Sequence, residues 1–460
     1  MDTTTKAEPG PDAGAGATSK SGSRGLLGNP RAVFWLRVAA IVVLMALVWI
    51  LADRFGEHHR LFDFRIYRKA VLFWLDGDNI LYNYSQPDKT NYNLGFTYPP
   101  FAAVIMIPLA VLPYGLAKWS HLIVMSAALA LMCYWVATPL ARRLKQPAWF
   151  VCGLVVPLAF ALEPIRESLS FGQVNHELAV LIIGDLLFLC RRNSKWAGIG
   201  IGLATAIKLT PGIFIIYLLL TKRWRPAFMS MFWATAATVL AAAFDLRSSV
   251  KFWLVTFWDS SRVGILDQTS NTSVNGMILR WFDQRDPNYP RWIYLVAVLL
   301  VVGYGMWRAV RAYRQGDEIC ALTIVGLVGV MVSPVSWIHH NFWIVPALVV
   351  LADVALRKDR WSKRFWAWTA LFMVVYWSFA LTLSLRFAEV TTKHWLHGPF
   401  WWIGENSYVI LSLVLILALP IRRGTDELDL AKGNFWPRWP SRLASWPERR
   451  AAAKAAAKAA

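Results

Sequence analysis

What most constrains this chain is a long succession of apolar runs, many close to the roughly 20 residues a helix needs to cross a bilayer. A few short polar clusters survive between them: Phe62-Asp63-Phe64-Arg65-Ile66-Tyr67, Phe96-Thr97-Tyr98-Pro99-Pro100, Gly172-Gln173-Val174-Asn175, Ile207-Lys208-Leu209-Thr210-Pro211 and Ser336-Trp337-Ile338-His339-His340. Charged and amide groups are expensive near lipid, so those kept at membrane depth point to function. The expected class is an all-α polytopic membrane protein, with the clusters forming a site at the membrane face.

Composition fits one helical membrane domain. Of 460 residues, 57% are hydrophobic and only 17% charged, with a mean hydropathy of +0.41. Many of the 26 tryptophans stand at span ends, among them Trp253, Trp258, Trp395, Trp401 and Trp402, as in an interfacial aromatic belt. The net charge of +20 raises nucleic acid as a partner, but its placement argues against one. The basic residues form short groups between apolar runs: Arg142, Arg143 and Lys145; Arg191, Arg192 and Lys195; Lys222, Arg223 and Arg225; Arg308, Arg311 and Arg314; Arg357, Lys358, Arg360, Lys363 and Arg364; Arg422 and Arg423. That is the positive-inside pattern, so these loops are expected in the cytoplasm of a multi-pass plasma-membrane protein.

Three regions are expected. Residues 1–30, rich in Gly, Ala, Ser, Thr and Pro, read as a disordered cytoplasmic leader; since the first apolar run begins near Val33, no cleavable signal peptide is expected. Residues 31–421 read as the membrane catalytic domain, and 422–460 as a basic cytoplasmic tail. The first span covers about 33–52. A polar segment of roughly 45 residues follows, too long for a plain connector. Within it Phe62 to Leu75 has helical periodicity: Ile66, Tyr67, Ala70, Val71, Phe73 and Trp74 line one side, and Arg65, Arg68 and Lys69 the other. This predicts an amphipathic helix on the membrane surface, in the first outer loop. The apolar stretch 99–140, interrupted at Pro108 and Pro113, predicts one crossing plus a broken or re-entrant piece. Later spans are expected at 147–163, 178–190, 196–208, 211–221, 228–244, 291–310, 319–333, 341–356, 365–383 and 405–421, giving about 12 crossings with both termini cytoplasmic. With the basic loops inside, all the polar clusters except that of Lys208 fall on the extracytoplasmic side, and Lys208 sits at the outer end of its span.

Each candidate has a functional and a plainer reading. Asp63 either takes a proton from a sugar hydroxyl or is an acid stabilised at a helix start. His339 and His340 supply a base or bind phosphate, or pack at the interface; no partner at helical ligand spacing suggests a metal site. Gln173 and Asn175 hydrogen-bond sugar hydroxyls or satisfy a broken helix end. Lys208 neutralises a phosphate or snorkels to the interface. Arg65, Arg68 and Lys69 hold a phosphate or face headgroups. The run Gln268, Ser270, Asn271, Thr272, Ser273 and Asn275 binds a glycan or is an ordinary loop. Asp76-Gly77-Asp78 reads as a Gly-centred turn, and Asp185 and His121 as internal hydrogen-bond partners.

Taken together, Asp63-Phe64-Arg65-Ile66-Tyr67, Phe96-Thr97-Tyr98-Pro99-Pro100-Phe101, Gly172-Gln173-Val174-Asn175, Lys208-Leu209-Thr210-Pro211, Asn271-Thr272-Ser273 and Ser333-Pro334-Val335-Ser336-Trp337-Ile338-His339-His340 resemble the bacterial polyprenyl-phosphate-sugar-dependent glycosyltransferases of the C-type glycosyltransferase fold. More narrowly they resemble its actinobacterial group of α-1,2-mannosyltransferases and arabinofuranosyltransferases. The resemblance spans residues 35–420, and departs from the group at Thr272, where glutamine is expected. It implies a polyprenyl-phosphate mannose donor, a phosphatidylinositol mannoside acceptor extended from tetramannoside to pentamannoside, an extracytoplasmic site, and an essential acid in the first outer loop, which falls on Asp63.

The expected mechanism is an inverting displacement. Asp63, His339 or His340 takes the acceptor's proton. Lys208, with Arg65 or Arg68, holds the donor phosphate, and Tyr67, Gln173, Asn175, Asn271 and Trp337 contact sugar or acceptor. The scheme requires no metal or cofactor. An arabinofuranosyltransferase using polyprenyl-phosphate arabinose is the nearest alternative. A lipid or solute transporter is more distant, because transport needs polar groups across the midplane rather than on one face.

Overall fold

The computed structural model describes residues 29–55, 59–77, 79–87, 93–282, 291–357, 362–388 and 398–425. The leader up to residue 28, the tail beyond 425 and Asp78 lie outside the described residues.

Helix α1 (Pro30–Phe55) carries the first apolar run, and α2 (Phe62–Leu75) follows with the bounds its periodicity suggested. Phe64, Ile66, Tyr67, Ala70, Val71 and Trp74 are buried against the chain itself, in a cluster with Phe96, Tyr98, Ala102, Ala103 and Met106. A two-residue antiparallel ladder, β1 (Gln86–Pro87) with β2 (Asn93–Leu94), lies beyond α2. The 99–140 stretch forms α3 (Pro100–Val111) and α4 (Tyr114–Arg143). Pro99-Pro100 opens α3, where a missing N–H costs nothing, and the chain breaks at Leu112-Pro113 while Pro108 stays inside α3.

Helices α5 (Ala148–Phe160) and α6 (Glu163–Phe171) meet at a bend of 76°. Leu162, extended, separates them, and Pro164 stands in the first turn of α6, where its missing N–H is tolerated. Next come α7 (Asn175–Gly184), continued by a π-helical turn over Asp185–Cys190, and α8 (Ile199–Ile207). Asp185 accepts the Gly198 and Ile201 N–H groups at 2.8 and 3.1 Å, the internal role expected of it. A 3₁₀ turn, Thr210–Gly212, leads to α9 (Ile213–Leu220). Then follow α10 (Trp224–Phe244), α11 (Leu246–Leu254), α12 (Val274–Trp281), α13 (Arg291–Arg314) and α14 (Glu318–Val332). A 3₁₀ segment, Ile338–Trp343, precedes α15 (Ile344–Ala355), and α16 (Lys363–Ala380), α17 (Leu383–Ala388), α18 (Gly398–Glu405) and α19 (Ser407–Ala418) complete the described chain.

Among the described residues, five helical stretches are long and apolar enough to cross a membrane, or six with the bent pair, against about twelve expected. Four shorter apolar helices accompany them: Pro100–Val111, Thr210–Leu220, Glu318–Val332 and Ser407–Ala418. The Ile338–Ala355 stretch is central, with 89% of its apolar window buried, whereas α10 and α13 show 22% and α1 only 6%. Those peripheral helices turn large apolar side chains outward, as lipid-facing spans do.

The two ends of α14 differ in chemistry. At its start Asp317 binds Arg422 at 2.6 Å, and Arg422 reaches on to Asp353, which also binds Arg357 at 2.8 Å and Arg143. Arg422, assigned from sequence to the tail, is thus a core residue; breaking such a buried pair typically costs about 3–5 kcal/mol. At the far end, about 22 Å away at 1.5 Å per residue, Ser333 and Pro334 line the principal cavity.

Candidate active site

The site is assembled where α2 meets α6. Arg60 and Leu61 both adopt left-handed backbone, with φ of 54° and 56°, a conformation that costs a non-glycine residue about 1–3 kcal/mol. The turn is held by α6: the His59 N–H donates to Ser170 Oγ at 2.7 Å and the Leu61 N–H to the Ser170 carbonyl at 2.6 Å. Across this contact Gly172 ends α6 with φ of 76°. A Cβ there would stand 2.7 Å from the Cβ of Phe64, so glycine is required by both conformation and space. His121 of α4 supports the same joint, with Nε2 3.0 Å from the Gly172 carbonyl and its ring stacked on Phe64.

That joint sets Gln173 against Asp63. The Gln173 amide N–H donates to Asp63 Oδ2, and its carbonyl accepts the Tyr98 hydroxyl. Burial pushes the Asp63 carboxyl up to about 6, opposed by the Gln173 hydrogen bond and the Lys208 charge. Burial, then the Asp63 charge, raises the Tyr67 phenol as well; its hydroxyl pairs with Thr97 Oγ1 at 2.9 Å.

Lys208 follows the last residue of α8, with extended backbone. Its Nζ lies 3.1 Å from Asn175 Oδ1, 2.8 Å from His340 Nε2 and 5.2 Å from the centre of the Tyr98 ring. A cationic Lys208 is the donor in the 2.8 Å contact with His340 Nε2, so a neutral imidazole carries its proton on Nδ1, 3.3 Å from Ser336 Oγ. Held by Asn175 and His340, the ammonium keeps a proton for an anion at this point.

Two cavities meet here. The larger, about 290 Å³, is lined by Asp63, Tyr67, Tyr98, Gln173, Lys208 and His340, together with Arg262, Phe252 and Phe257. The smaller, about 230 Å³, is lined by Glu167, Phe171, Gln268, Ser270 and His339. Asp63, Leu94, Val263 and Trp337 border both. In the smaller chamber His339 is 3% exposed, its Nδ1 lies 3.9 Å from Glu167 Oε2, and neither ring nitrogen has a hydrogen-bond partner among the described residues.

The structure therefore brings together Asp63, Tyr67, Gln173, Lys208, Trp337, His339 and His340, and leaves four other candidates out of the walls of the two chambers. Arg65 is exposed and Arg68 donates to the Leu112 carbonyl at 2.7 Å. Both lie off the cavities, because helical geometry turns them to the side of α2 opposite Asp63, Ile66 and Tyr67. Asn175 is 1% exposed and spends its amide on Ser168 Oγ and the His339 carbonyl, at 3.1 and 2.9 Å, while its oxygen holds Lys208. Its three hydrogen bonds tie Lys208 to α6 and to the His339 backbone. Asn271 is fully buried. Its side chain accepts the Ser336 and Ser273 N–H groups and donates to the Leu266 carbonyl at 2.7 Å, so no polar atom is left for a ligand.

Arg262 and Glu167 line the chambers without having been singled out. Burial lowers the Arg262 guanidinium, with Asp259 acting against the shift. Glu167 carried one signal, an acid four residues past the 147–163 apolar run and six before Gln173.

The profile of glycosyltransferase family 87 matches residues 96–334. A polyprenol-phosphate-mannose-dependent α-(1-2)-phosphatidylinositol mannoside mannosyltransferase of Mycolicibacterium smegmatis is 30% identical over 82% of this chain and 89% of its own. A polyprenol-phosphate-mannose-dependent α-(1-2)-phosphatidylinositol pentamannoside mannosyltransferase of Mycobacterium tuberculosis is 30% identical over 74% of this chain and 77% of its own. An α-(1->3)-arabinofuranosyltransferase of Mycobacterium tuberculosis is 24% identical over 75% and 79%. No solved structure matches the chain.

Proposed function

The chain belongs to glycosyltransferase family 87, and from that membership we propose that it moves mannose from polyprenyl-phosphate mannose to a phosphatidylinositol mannoside in α-1,2 linkage. That it is a glycosyltransferase, with several apolar helices fit for a membrane, follows from the family and the fold. The mannosyl donor and the acceptor rest on the printed activities of its relatives.

The observation that carries this reading is the place of Asp63 in a wall common to two chambers. In the larger chamber the Lys208 ammonium, held by Asn175 and His340, receives the donor phosphate. In the smaller, Glu167, His339, Gln268 and Ser270 offer hydrogen bonds to the acceptor sugar. Asp63 takes the proton of the acceptor hydroxyl. The hydroxyl oxygen bonds to the anomeric carbon as the bond from that carbon to the phosphate oxygen breaks. The electron pair leaves with polyprenyl phosphate, and Lys208 meets the added charge. One displacement inverts the centre, so a β-linked donor gives an α-linked product. General-base help of this kind is worth ~10²–10⁴-fold. Gln173 aims the carboxylate and Asn175 the lysine.

We also infer that the chambers open on the extracytoplasmic face. Support comes from Arg143, Arg357 and Arg422, gathered around Asp353 at the opposite end of α14, and from the inward preference of basic loops. On the same reading the four shorter apolar helices also cross, which brings the count among the described residues to nine or ten.

The test is transfer by purified protein in nanodiscs, given polyprenyl-phosphate mannose and either phosphatidylinositol tetramannoside or pentamannoside, since relatives of both kinds match. A product one mannose longer, lost in Asp63→Asn, supports the reading and identifies the acceptor. Product from polyprenyl-phosphate arabinose alone would replace it with the sister activity.

A further inference from the structure

Helix α11 has three distinct sides. Ser248, Ser249 and Phe252 face inward and are buried. Leu246, Val250 and Leu254, one turn apart, face outward with 64%, 46% and 72% of their surface exposed. Arg247 and Lys251 lie between these two sides, on the shoulder of the apolar stripe, as the 100° step of a helix requires. The stripe continues past the end of the helix in Val255, Phe257 and Trp258, all exposed. It also continues backwards, for α10 ends at Phe244 with Phe232, Val239, Leu240 and Phe244 turned outward.

This is not a loosely hung segment. Asp245, extended between the two helices, caps α11 through the Arg247 N–H at 2.9 Å and accepts the Trp74 indole N–H of α2 at 2.9 Å. The Leu81 N–H donates to Ser248 Oγ at 2.9 Å. Phe252 and Thr256 on the inner side of the same segment, with Phe257 of the stripe at the edge, form part of the wall of the larger chamber.

We propose that α11, with the turn through Trp258, is seated in the bilayer interface on the cavity side, its Leu246–Val250–Leu254 stripe buried among acyl chains, and that it thereby fixes the larger chamber at headgroup depth. The occupant of the exposed stripe is a lipid surface. Continuity with the outward apolar side of α10, a helix long and apolar enough to cross, argues for lipid over a protein partner. So does the basic shoulder, since interfacial helices set cations beside their apolar face. The sequence placed such a helix at α2; the structure buries the apolar side of α2 in protein and leaves that of α11 outside. The role in substrate depth rests on the lipid-linked donor proposed above; the seating itself does not.

The test attaches a nitroxide to single cysteines at 246, 250, 254 and 247 in the full chain, in nanodiscs of phosphatidylglycerol and phosphatidylethanolamine, and compares collisions with oxygen and with a water-soluble nickel chelate. Oxygen should dominate at 246, 250 and 254 and the chelate at 247. Chelate access at all four, or access of neither reagent to the stripe, would overturn the seating, the second outcome signalling a protein cover. A second measurement addresses depth. The triple variant Leu246→Ser, Val250→Ser, Leu254→Ser should raise KM for a full-length lipid donor in nanodiscs by about tenfold, with KM for a short-chain donor in detergent unchanged. Equal KM changes for both donors would overturn the depth role while leaving the transfer reaction intact.

Discussion

Gln173 and Asp63, 110 residues apart in sequence, are joined by a hydrogen bond from the amide N–H to the carboxylate. The amide oxygen simultaneously accepts from Tyr98, which fixes the orientation of Gln173 and with it the face of Asp63 left for a substrate. The carboxyl is held by one donor and pushed by burial, and this balance brings it near neutrality.

The first prediction concerns Asp63 itself. Asp63→Asn should lower kcat by ~10²–10⁴-fold, while the protein purifies and unfolds as before. The sign of the stability effect follows from the shift. A carboxyl whose folded value is raised to about 6 costs the fold more as pH rises through that value. The amide removes this cost, so the variant should be no less stable than the parent at pH 8. Wild-type turnover in the variant would dismiss Asp63 as the base.

A pH profile gives the second. If the ionised Asp63 is the base, kcat/KM should fall on the acid side with a midpoint near 6. Gln173→Leu removes a hydrogen bond that lowers the Asp63 value, so the midpoint should move to higher pH and activity should recover at alkaline pH. A uniform loss at every pH would instead mean that Gln173 serves the sugar or the fold alone.

Lys208 and Arg65 provide a paired test of which cation meets the phosphate. Lys208→Met should cost about 10²–10³-fold in kcat, the range for removing one preorganised donor to developing charge. Arg65, exposed and off both chambers, should tolerate alanine with less than about a twofold change, as surface positions usually do. Steady-state kinetics with the lipid donor reads both, and the reverse ranking would return the phosphate to α2.

Much of this was legible in the chain because the controlling forces are local. The periodicity of Phe62 to Leu75 set the bounds of α2, and an acid in an aromatic, basic stretch drew attention to Asp63. Lys208 and the two histidines stood out for their apolar surroundings. What covers each side of a helix is not local. The apolar side of α2 packs on residues between Phe96 and Met106, and once it does, Arg65 and Arg68 can only point away. Asn175 and Asn271 illustrate a second limit. An amide that binds a sugar and one that satisfies backbone groups have the same sequence signature, and only the positions of Lys208 and Ser336 tell them apart. Arg262 gave no periodic or apolar context at all, and Glu167 is defined by the place of His339 in another segment.

Asn271 makes this distinction measurable. Its carboxamide oxygen accepts the Ser336 N–H at 3.0 Å and the Ser273 N–H at 3.3 Å, and its amide donates to the Leu266 carbonyl at 2.7 Å. Asn271→Ala would strand these buried groups, each worth about 1–3 kcal/mol when left unpaired. The Ser336 N–H begins the turn that carries Trp337, His339 and His340, so its release should blur both chambers together. The expected outcome is a lower unfolding temperature, together with a loss of kcat that adding acceptor does not restore. Were Asn271 a sugar ligand, the variant would keep its stability and lose only apparent affinity for the acceptor. Thermal unfolding in detergent, set beside KM for the acceptor, separates the two, and unchanged stability with a raised KM would restore Asn271 to the binding site.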